Sequence, residues 1–511
     1  MASIMRGTRV DSVLIAGLAT IVSGAWSSRP SFWFDEGATI SAAAHRSLPQ
    51  LWRLLSHIDA VHGLYYLFMH GWFTIFPPTE FWSRAPSCLA VGAGAAGVVV
   101  FTKQFSRQVW PLGAERATAV CAGILFAILP RITWAGIEAR PYAAEAAAAV
   151  WLTVSLITAL QRSTWRRWLV YTLALMLSIL LSINMALLVL AYAAMLPVLA
   201  PAKTAVLRWA AASTIGLGLM TPFIVFAHHQ VGQVAWISGL KRNLVLDVLH
   251  RQYFDHSVAF AVLSGLVLSM TIGVQLAGLA KSGNNCRPLV LVCLAWIGVP
   301  TGVVLLYSAV IEPIYYPRYL ILTTPGMAIL LAICTVLIGR SPGPIAAIMV
   351  LFAAAAFPNY LFTQRGPYAK EGWDYSQVAD LISTHAAPGD CLLVDNTVPW
   401  RPGPIRALLA TRPTAFASLV DIERGFRGPD VGALWDGHVA VWLRTARLNQ
   451  CSTVWTITNR DAALPQQQSG QALPPGAGLA RTPVYRFPAQ LGFRIIGRWQ
   501  FHYAQVLKST R

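Results

Sequence analysis

Charge is what this sequence has least of. Only 12% of its 511 residues are Asp, Glu, Lys or Arg, against 56% hydrophobic residues and a mean hydropathy of +0.54. A water-soluble fold carries about 25% charged residues on average, so the composition excludes an ordinary soluble domain and implies a polytopic membrane protein. Acids are scarcer still, with 21 Asp and Glu against 39 Lys and Arg, for a net charge of +18. That excess does not make a nucleic-acid binder, because the basic residues are scattered over short loops and a solvated surface without a run. Part of it suits anionic lipid head groups. The seven cysteines contain no CxxC pair, which removes the usual zinc spacing. No glycine-rich phosphate loop follows a strand-like run, so nucleotide binding has no support, and internal repeats and low-complexity segments are absent.

What is present is a series of apolar stretches, each long enough to cross roughly 30 Å of hydrocarbon. They run over 10–27, 85–102, 117–133, 142–160, 168–182, 185–200, 209–227, 258–279, 289–308, 319–338 and 344–361, which predicts about eleven transmembrane helices. The segment 63–76 is shorter and rich in His and Trp, and is read as a helix lying in the interface. With it left out of the spans, Arg6, Arg9, Lys103, Arg107, Arg116, Arg162, Arg166, Arg167, Lys203, Arg208, Lys281, Arg287 and Arg340 all fall on one side. By the positive-inside rule that side is cytoplasmic. The N-terminus is then inside, and the loop 28–84 and everything after residue 361 are extracytoplasmic. Arg6 and Arg9 ahead of an apolar run also fit a cleaved signal peptide, but Ser27-Ser28 offers no A-x-A site.

The chain divides near residue 362, giving a transmembrane domain, 1–361, and a soluble extracytoplasmic domain, 362–511. Helical periodicity over Tyr375–His385, a turn at Pro388-Gly389-Asp390 and a short strand from Cys391 to Val394 are repeated in kind over 442–457, which predicts an α/β layer. Cys391 and Cys451 each stand at or before an apolar β-like run, and in an oxidising compartment they could form a disulfide. The other five cysteines lie in or beside spans and are read as small hydrophobes.

Ionisable groups near a membrane are costly and often functional. Asp35 and Glu36, framed by Phe32, Trp33 and Phe34 just beyond the first span, are the strongest candidates. A lone acid there would be read as a helix-dipole partner. An adjacent pair allows one acid to accept a proton from an attacking hydroxyl while the other orients it. Glu138 and Arg140 share the short outer turn 134–142, where a structural ion pair and a substrate contact are both open. Glu145 is three residues past Tyr142 on the same helix face and is read as neutral and packed between helices. Arg318, in 312–319, sits at the mouth of a span where a guanidinium can grip a phosphate, or anchor the interface with its tyrosines. Arg84 and His62 are placed to face the same head group, and Trp236 is placed to stack on a sugar ring.

In order along the chain, Phe34-Asp35-Glu36, His62-Gly63-Leu64-Tyr65-Tyr66, Arg84-Ala85-Pro86-Ser87, Glu138-Ala139-Arg140-Pro141-Tyr142 and Pro317-Arg318-Tyr319 with Pro325 resemble the membrane-embedded C-type (GT-C) glycosyltransferases that use polyprenyl-phosphate sugars. The likeness is to the RgtA/B/C/D-like and protein-mannosyltransferase-like branch and covers about residues 10–340. One departure is His62-Gly63, where the family commonly has Pro-Pro or Lys-Pro. The resemblance implies an inverting sugar transfer on the outer face, with Asp35 as general base and Glu36 and Glu138 as further catalytic acids. It implies that Arg318, Arg84, Arg140 and His62 bind the donor phosphate and that Tyr65, Tyr142, Tyr316 and Trp236 contact sugar or acceptor. A divalent cation through Glu36 and Glu138 stays open, and no other cofactor is implied. The expected partners are a polyprenyl-phosphate sugar, with mannose ahead of arabinofuranose, an envelope glycan or glycolipid acceptor, and the bilayer. The rival readings are a transporter or flippase of a lipid-linked sugar, against which no two-fold repeat or matched pair of broken helices is found, and a non-enzymatic scaffold.

Overall fold

A computed structural model describes residues 2–106, 114–237, 239, 243–276, 286–395, 398, 406–464 and 468–511. Arg107 and Lys281, two of the basic loop residues, lie outside this set. The chain forms two compact units: Met1–Ser27, Ala60–Tyr65 and Arg84–Gln364 make one, and Ser28–Asp59, Tyr66–Ser83 and Arg365–Arg511 make the other.

The first unit is all helical. The described parts of the eleven apolar stretches fall on helices, and among the described residues six helices are long and apolar enough to cross a membrane: Glu80–Phe105, Tyr142–Gln161, Lys203–His228, Arg287–Val310, Pro317–Gly339 and Pro342–Gln364. A seventh arises if Leu244–Phe254 and Val258–Val274, bent by 99° at their junction, count as one span. Four of the eleven stretches fall outside this set: the first lies on helix Ala2–Gly24, and three form helices of only 15, 17 and 13 residues, Ala114–Ile128, Trp165–Leu181 and Leu187–Leu199. At about 1.5 Å per residue these three reach roughly 20–25 Å. Small residues and aromatics interlock in the core, where Ala95, Ala122, Ala146, Phe126, Tyr171, Tyr192 and Trp296 are fully buried. On the first helix, Asp11 is buried and takes both Lys103 and Arg116 as salt-bridge partners, tying the ends of three helices together.

The second unit is α/β. Its strands are β1 (Cys391–Val394), β2 (Val420–Asp421), β3 (Thr453–Asn459), β4 (Gln468–Ser469), β5 (Arg494–Gln500) and β6 (Ala504–Thr510), in the order β2-β1-β3-β6-β5-β4. β1 is parallel to β2 and β3, and the remaining pairs are antiparallel. The unbroken apolar run Cys-Leu-Leu-Val of β1 is explained by burial on both faces. Leu392 and Val394 join one core with Trp455, Ile457 and Val506, while Cys391 and Leu393 join another with Val454 and Leu448. Helix Tyr375–His385 lays Tyr375, Val378, Ala379 and Ile382 against the first of these cores, at the spacing of one helix face. Gly389, at φ +88°, makes the turn into β1. Cys391 and Cys451 are joined by a disulfide, with Cα atoms 6.0 Å apart.

This unit also contains the loop after the first helix. Phe32 and Trp33 are buried in the same core as Trp373, Tyr375 and Trp455. The backbone is stitched there: Phe32 N donates to Ser376 Oγ at 3.0 Å, and Ser376 N donates to Ser31 Oγ at 3.0 Å. Ser31 N in turn donates to Pro367 O at 2.9 Å. Helix Leu48–Leu55, started by a Ser47/Gln50 capping box, follows helix Phe34–Ala43. Arg53 donates to Asp430 O at 2.7 Å, and Arg46 donates to Ala433 O at 2.6 Å. Glu80 accepts from Ser376 and Arg412, and Arg412 also pairs with Asp380.

The disulfide closes a separation of 60 residues between the start of β1 and the residue two before β3, so Cys391→Ser is expected to cost about 4 kcal/mol of stability in this unit. Thermal unfolding of the purified chain with and without reductant measures it. An unchanged transition would show that the strands do not need the link.

Candidate functional site

The acid pair owes its position to the second unit. Trp33 is extended (φ −137°, ψ 179°) and the helix starts at Phe34, so Asp35 and Glu36 occupy its first turn. There the exposed backbone N–H groups and the helix dipole favour negative charge. Glu36 is fully buried, whereas Asp35 is partly exposed. The ring of Phe34 stands 5.3 Å from that of Trp435 and 6.4 Å from that of Trp373, closing one side of the turn. A buried acid beside a more accessible one is the asymmetry that a divided role needs: one can orient and the other can exchange a proton.

The cationic candidates gather in the first unit. Helix Glu80–Ser106 clamps the turn that carries Glu138 and Arg140. Ser87 Oγ donates to Glu138 O at 2.6 Å, and Cys88 Sγ donates to Gly136 O at 3.2 Å. Pro141 then leads into helix Tyr142–Gln161. Arg140 donates from a terminal nitrogen to His62 Nε2 at 2.8 Å. A guanidinium has no acceptor, so His62 Nε2 accepts and the ring proton sits on Nδ1. Burial, then the charges of Arg140 and Arg318, hold His62 well below the usual imidazole range. It lies in a 3-10 turn outside the spans and is neutral at pH 7.

Arg318 is nearly buried inside a cage of tyrosines. Its guanidinium carbon is 4.9 Å from the ring of Tyr316, 5.8 Å from Tyr319 and 5.9 Å from Tyr142. Trp236 meets Tyr316 edge-on at 5.1 Å. The cage depends on the 3-10 segment Pro317–Thr323, which Trp296 Nε1 fixes by donating to Leu322 O at 2.9 Å. Aromatic faces steady a guanidinium through attraction of its charge to the ring.

Six of the expected residues, His62, Arg140, Tyr142, Trp236, Tyr316 and Arg318, are thus brought into one connected group. Arg84 is fully buried and donates to Ser27 O at 2.6 Å, which fixes the end of the first helix. Tyr65 and Glu138 are buried in the same unit. Asp35 and Glu36 belong to the other unit. Glu145 is buried in the first unit.

Sequence reading missed Arg131 and Asp255. Arg131 pairs with Asp255 at 3.2 Å, lies over Trp134 at 5.0 Å and feels the charge of Arg318. Asp255 sits at φ +52° at the 99° helix break, where Gln364 Nε2 also donates to it at 3.1 Å. The available signal was Arg131 directly after Pro130, an arginine inside an apparent span. Among the described residues no three His, Cys, Asp or Glu side chains converge as metal ligands.

No protein-family model matches the chain, and no curated protein matches it in sequence. Among solved structures it is similar to the crystal structure of ArnT from Cupriavidus metallidurans bound to undecaprenyl phosphate, with a TM-score of 0.54 and 11% identity over 97% of each chain. It also aligns with the cryo-EM structure of arabinosyltransferase EmbB from Mycobacterium smegmatis, at a TM-score of 0.39 and 13% identity over 92% of this chain and 45% of that one. The second score is too low to bear on this protein. The first establishes the fold: a multi-pass helical membrane protein of the GT-C type with a C-terminal α/β unit.

The His62 geometry is directly measurable. Nitrogen-15 spectra of histidine-labelled protein in nanodiscs are expected to show a neutral ring protonated on Nδ1 at neutral pH. Arg140→Gln is expected to raise its pKa by removing a neighbouring positive charge. An imidazolium at neutral pH in the unmodified chain would contradict the assignment.

Proposed function

We propose that this chain is an inverting glycosyltransferase that moves a sugar from a polyprenyl-phosphate donor to a cell-envelope glycan or glycolipid on the outer face of the membrane. The observation that carries the reading is the caged Arg318 beside the Arg140–His62 pair, on a fold shared with a protein whose structure holds undecaprenyl phosphate. The sequence motifs that resemble the C-type transferases coincide with these residues. The disulfide supports an oxidising, extracytoplasmic setting for the α/β unit.

In this mechanism Asp35 takes the proton of the acceptor hydroxyl. The acceptor oxygen bonds to the anomeric carbon as the carbon–oxygen bond to phosphate breaks, and configuration inverts. Polyprenyl phosphate leaves as an anion, so it needs positive charge rather than a proton. Arg318 and Arg140 supply that charge, with neutral His62 holding Arg140 in place. Arg84 acts from beneath by fixing the backbone, and Glu36 orients Asp35 or the acceptor. Glu138 anchors the turn that presents Arg140. Tyr65, Tyr142, Tyr316 and Trp236 supply the surface for sugar or acceptor. Mannose is the first choice of sugar and arabinofuranose the second. The N-terminus is placed in the cytoplasm. A transporter would call for paired broken helices, and one bent pair occurs among the described residues.

The test is transfer by purified protein in nanodiscs, with radiolabelled polyprenyl-phosphate mannose and arabinose against an envelope glycolipid extract. Label should enter the glycolipid from one donor. Asp35→Asn is expected to lower the rate by about 10²–10⁴ without changing thermal unfolding, and an active Asp35→Asn protein would remove Asp35 as the base. Arg318→Lys keeps the charge but loses the planar fork, so it is expected to lower turnover by at least about tenfold. Unchanged turnover would take the phosphate away from Arg318.

A further inference from the structure

The α/β unit holds a second polar centre that the transfer mechanism does not use. In the order β2-β1-β3, the chain leaves β1 for a neighbour on one side and returns on the other. The carboxyl ends of β1 and β3 therefore flank a topological switch point, where open parallel sheets form ligand crevices. Asp395 directly follows β1 and accepts from Thr458 of β3 at 2.6 Å. Glu423, two residues past β2, accepts from Val394 N at 2.7 Å and so completes the ladder that the short strand leaves unfinished. Arg406 forms a two-pronged pair with Asp421, at 2.5 and 3.2 Å. His438 Nε2 stands 3.9 Å from Glu423 Oε1.

Five ionisable side chains meet here in a unit of ordinary size. Arg406 and Glu423 are 2% and 1% exposed, while Asp421 and His438, at 18% and 24%, reach solvent. Burying such groups costs several kcal/mol per ion, and apolar residues would pack more stably. Among the described residues, Arg406 Nε and His438 Nδ1 are buried without a hydrogen-bond partner. The Arg406 guanidinium is already engaged by Asp421 and that of Arg424 by Asp436, which disfavours an anion, and no three carboxylate or imidazole groups converge as metal ligands among the described residues. What remains is a mixture of donors and acceptors suited to hydroxyl groups.

We propose that Asp395, Arg406, Glu423 and His438 form a non-reacting saccharide subsite at the carboxyl edge of the sheet, which holds a sugar unit of a glycan by its hydroxyls. Burial raises the Glu423 carboxyl to about 8, against the opposing Val394 N–H and Arg406, and Asp421 and Asp395 push the same way. Burial also lowers His438, opposed by the same two aspartates and assisted by Arg406. At neutral pH both groups are uncharged and can each donate and accept. The subsite does not depend on the transfer reaction.

The test is saturation-transfer NMR on the full chain in nanodiscs, without any lipid donor, using an α-linked mannotriose and an arabinofuranosyl trisaccharide. Saccharide binding is expected, weakened at least tenfold by His438→Ala at unchanged thermal unfolding. It should persist in Glu423→Gln, whose amide mimics the neutral acid. Binding to the unmodified chain should weaken as pH rises through about 8, whereas Glu423→Gln should stay flat. No saccharide signal from a folded preparation, full binding by His438→Ala, or calcium or inorganic phosphate shifting the His438 resonance in place of saccharide would each overturn the proposal. A chain that binds saccharide but transfers no sugar would leave it standing while removing the transferase reading.

Discussion

The burial of Phe32 and Trp33 in the core of the α/β unit is the interaction on which the acidic site depends. Each large side chain withdrawn from water contributes about 2–3 kcal/mol, and the paired Ser31–Ser376 bonds fix the direction in which the backbone leaves that core. Helix Phe34–Ala43 starts at once, so Asp35 and Glu36 have little freedom to wander. For the proposed reaction, a surface loop with two acids would be a weak catalyst, because its groups would have to be ordered at every turnover. Here the folding of a distant domain has already met that cost.

The cationic group in the helical unit follows a different logic. Cations buried near one another raise the energy of the unit unless each is held by something that tolerates charge. Arg131 has Asp255, Arg140 has the lone pair of a neutral imidazole, and Arg318 has three tyrosine faces. A neutral imidazole or an aromatic face steadies a guanidinium without adding a carboxylate of its own. The break at Asp255 belongs to the same scheme, since its left-handed backbone persists only where Arg131 and Gln364 hold the carboxylate.

Much of this architecture was legible because it is local or compositional. Helix Tyr375–His385 and strand Cys391–Val394 could be bounded from periodicity and from the turn chemistry of Pro388-Gly389-Asp390. The apolar stretches fall on helices, but hydropathy does not say where a helix stops. Ala114–Ile128 is apolar enough yet ends at Leu129-Pro130 after 15 residues. Residue types in degenerate motifs pointed to Arg140 and Arg318. They did not reveal that the partner of Arg140 is His62, 78 residues away.

The sequence by itself determined the membrane class, the helical and α/β halves, and the acids and arginines worth attention, since each follows from composition, period or spacing along the chain. Only the tertiary structure decided that the loop after the first helix folds into the α/β unit, that Arg131 and Asp255 join the cationic group, and that five ionisable residues meet at the end of β1 and β3. These depend on contacts between segments tens to hundreds of residues apart. The energy of such a contact lies in the complementarity of two surfaces, and neither segment carries that information alone.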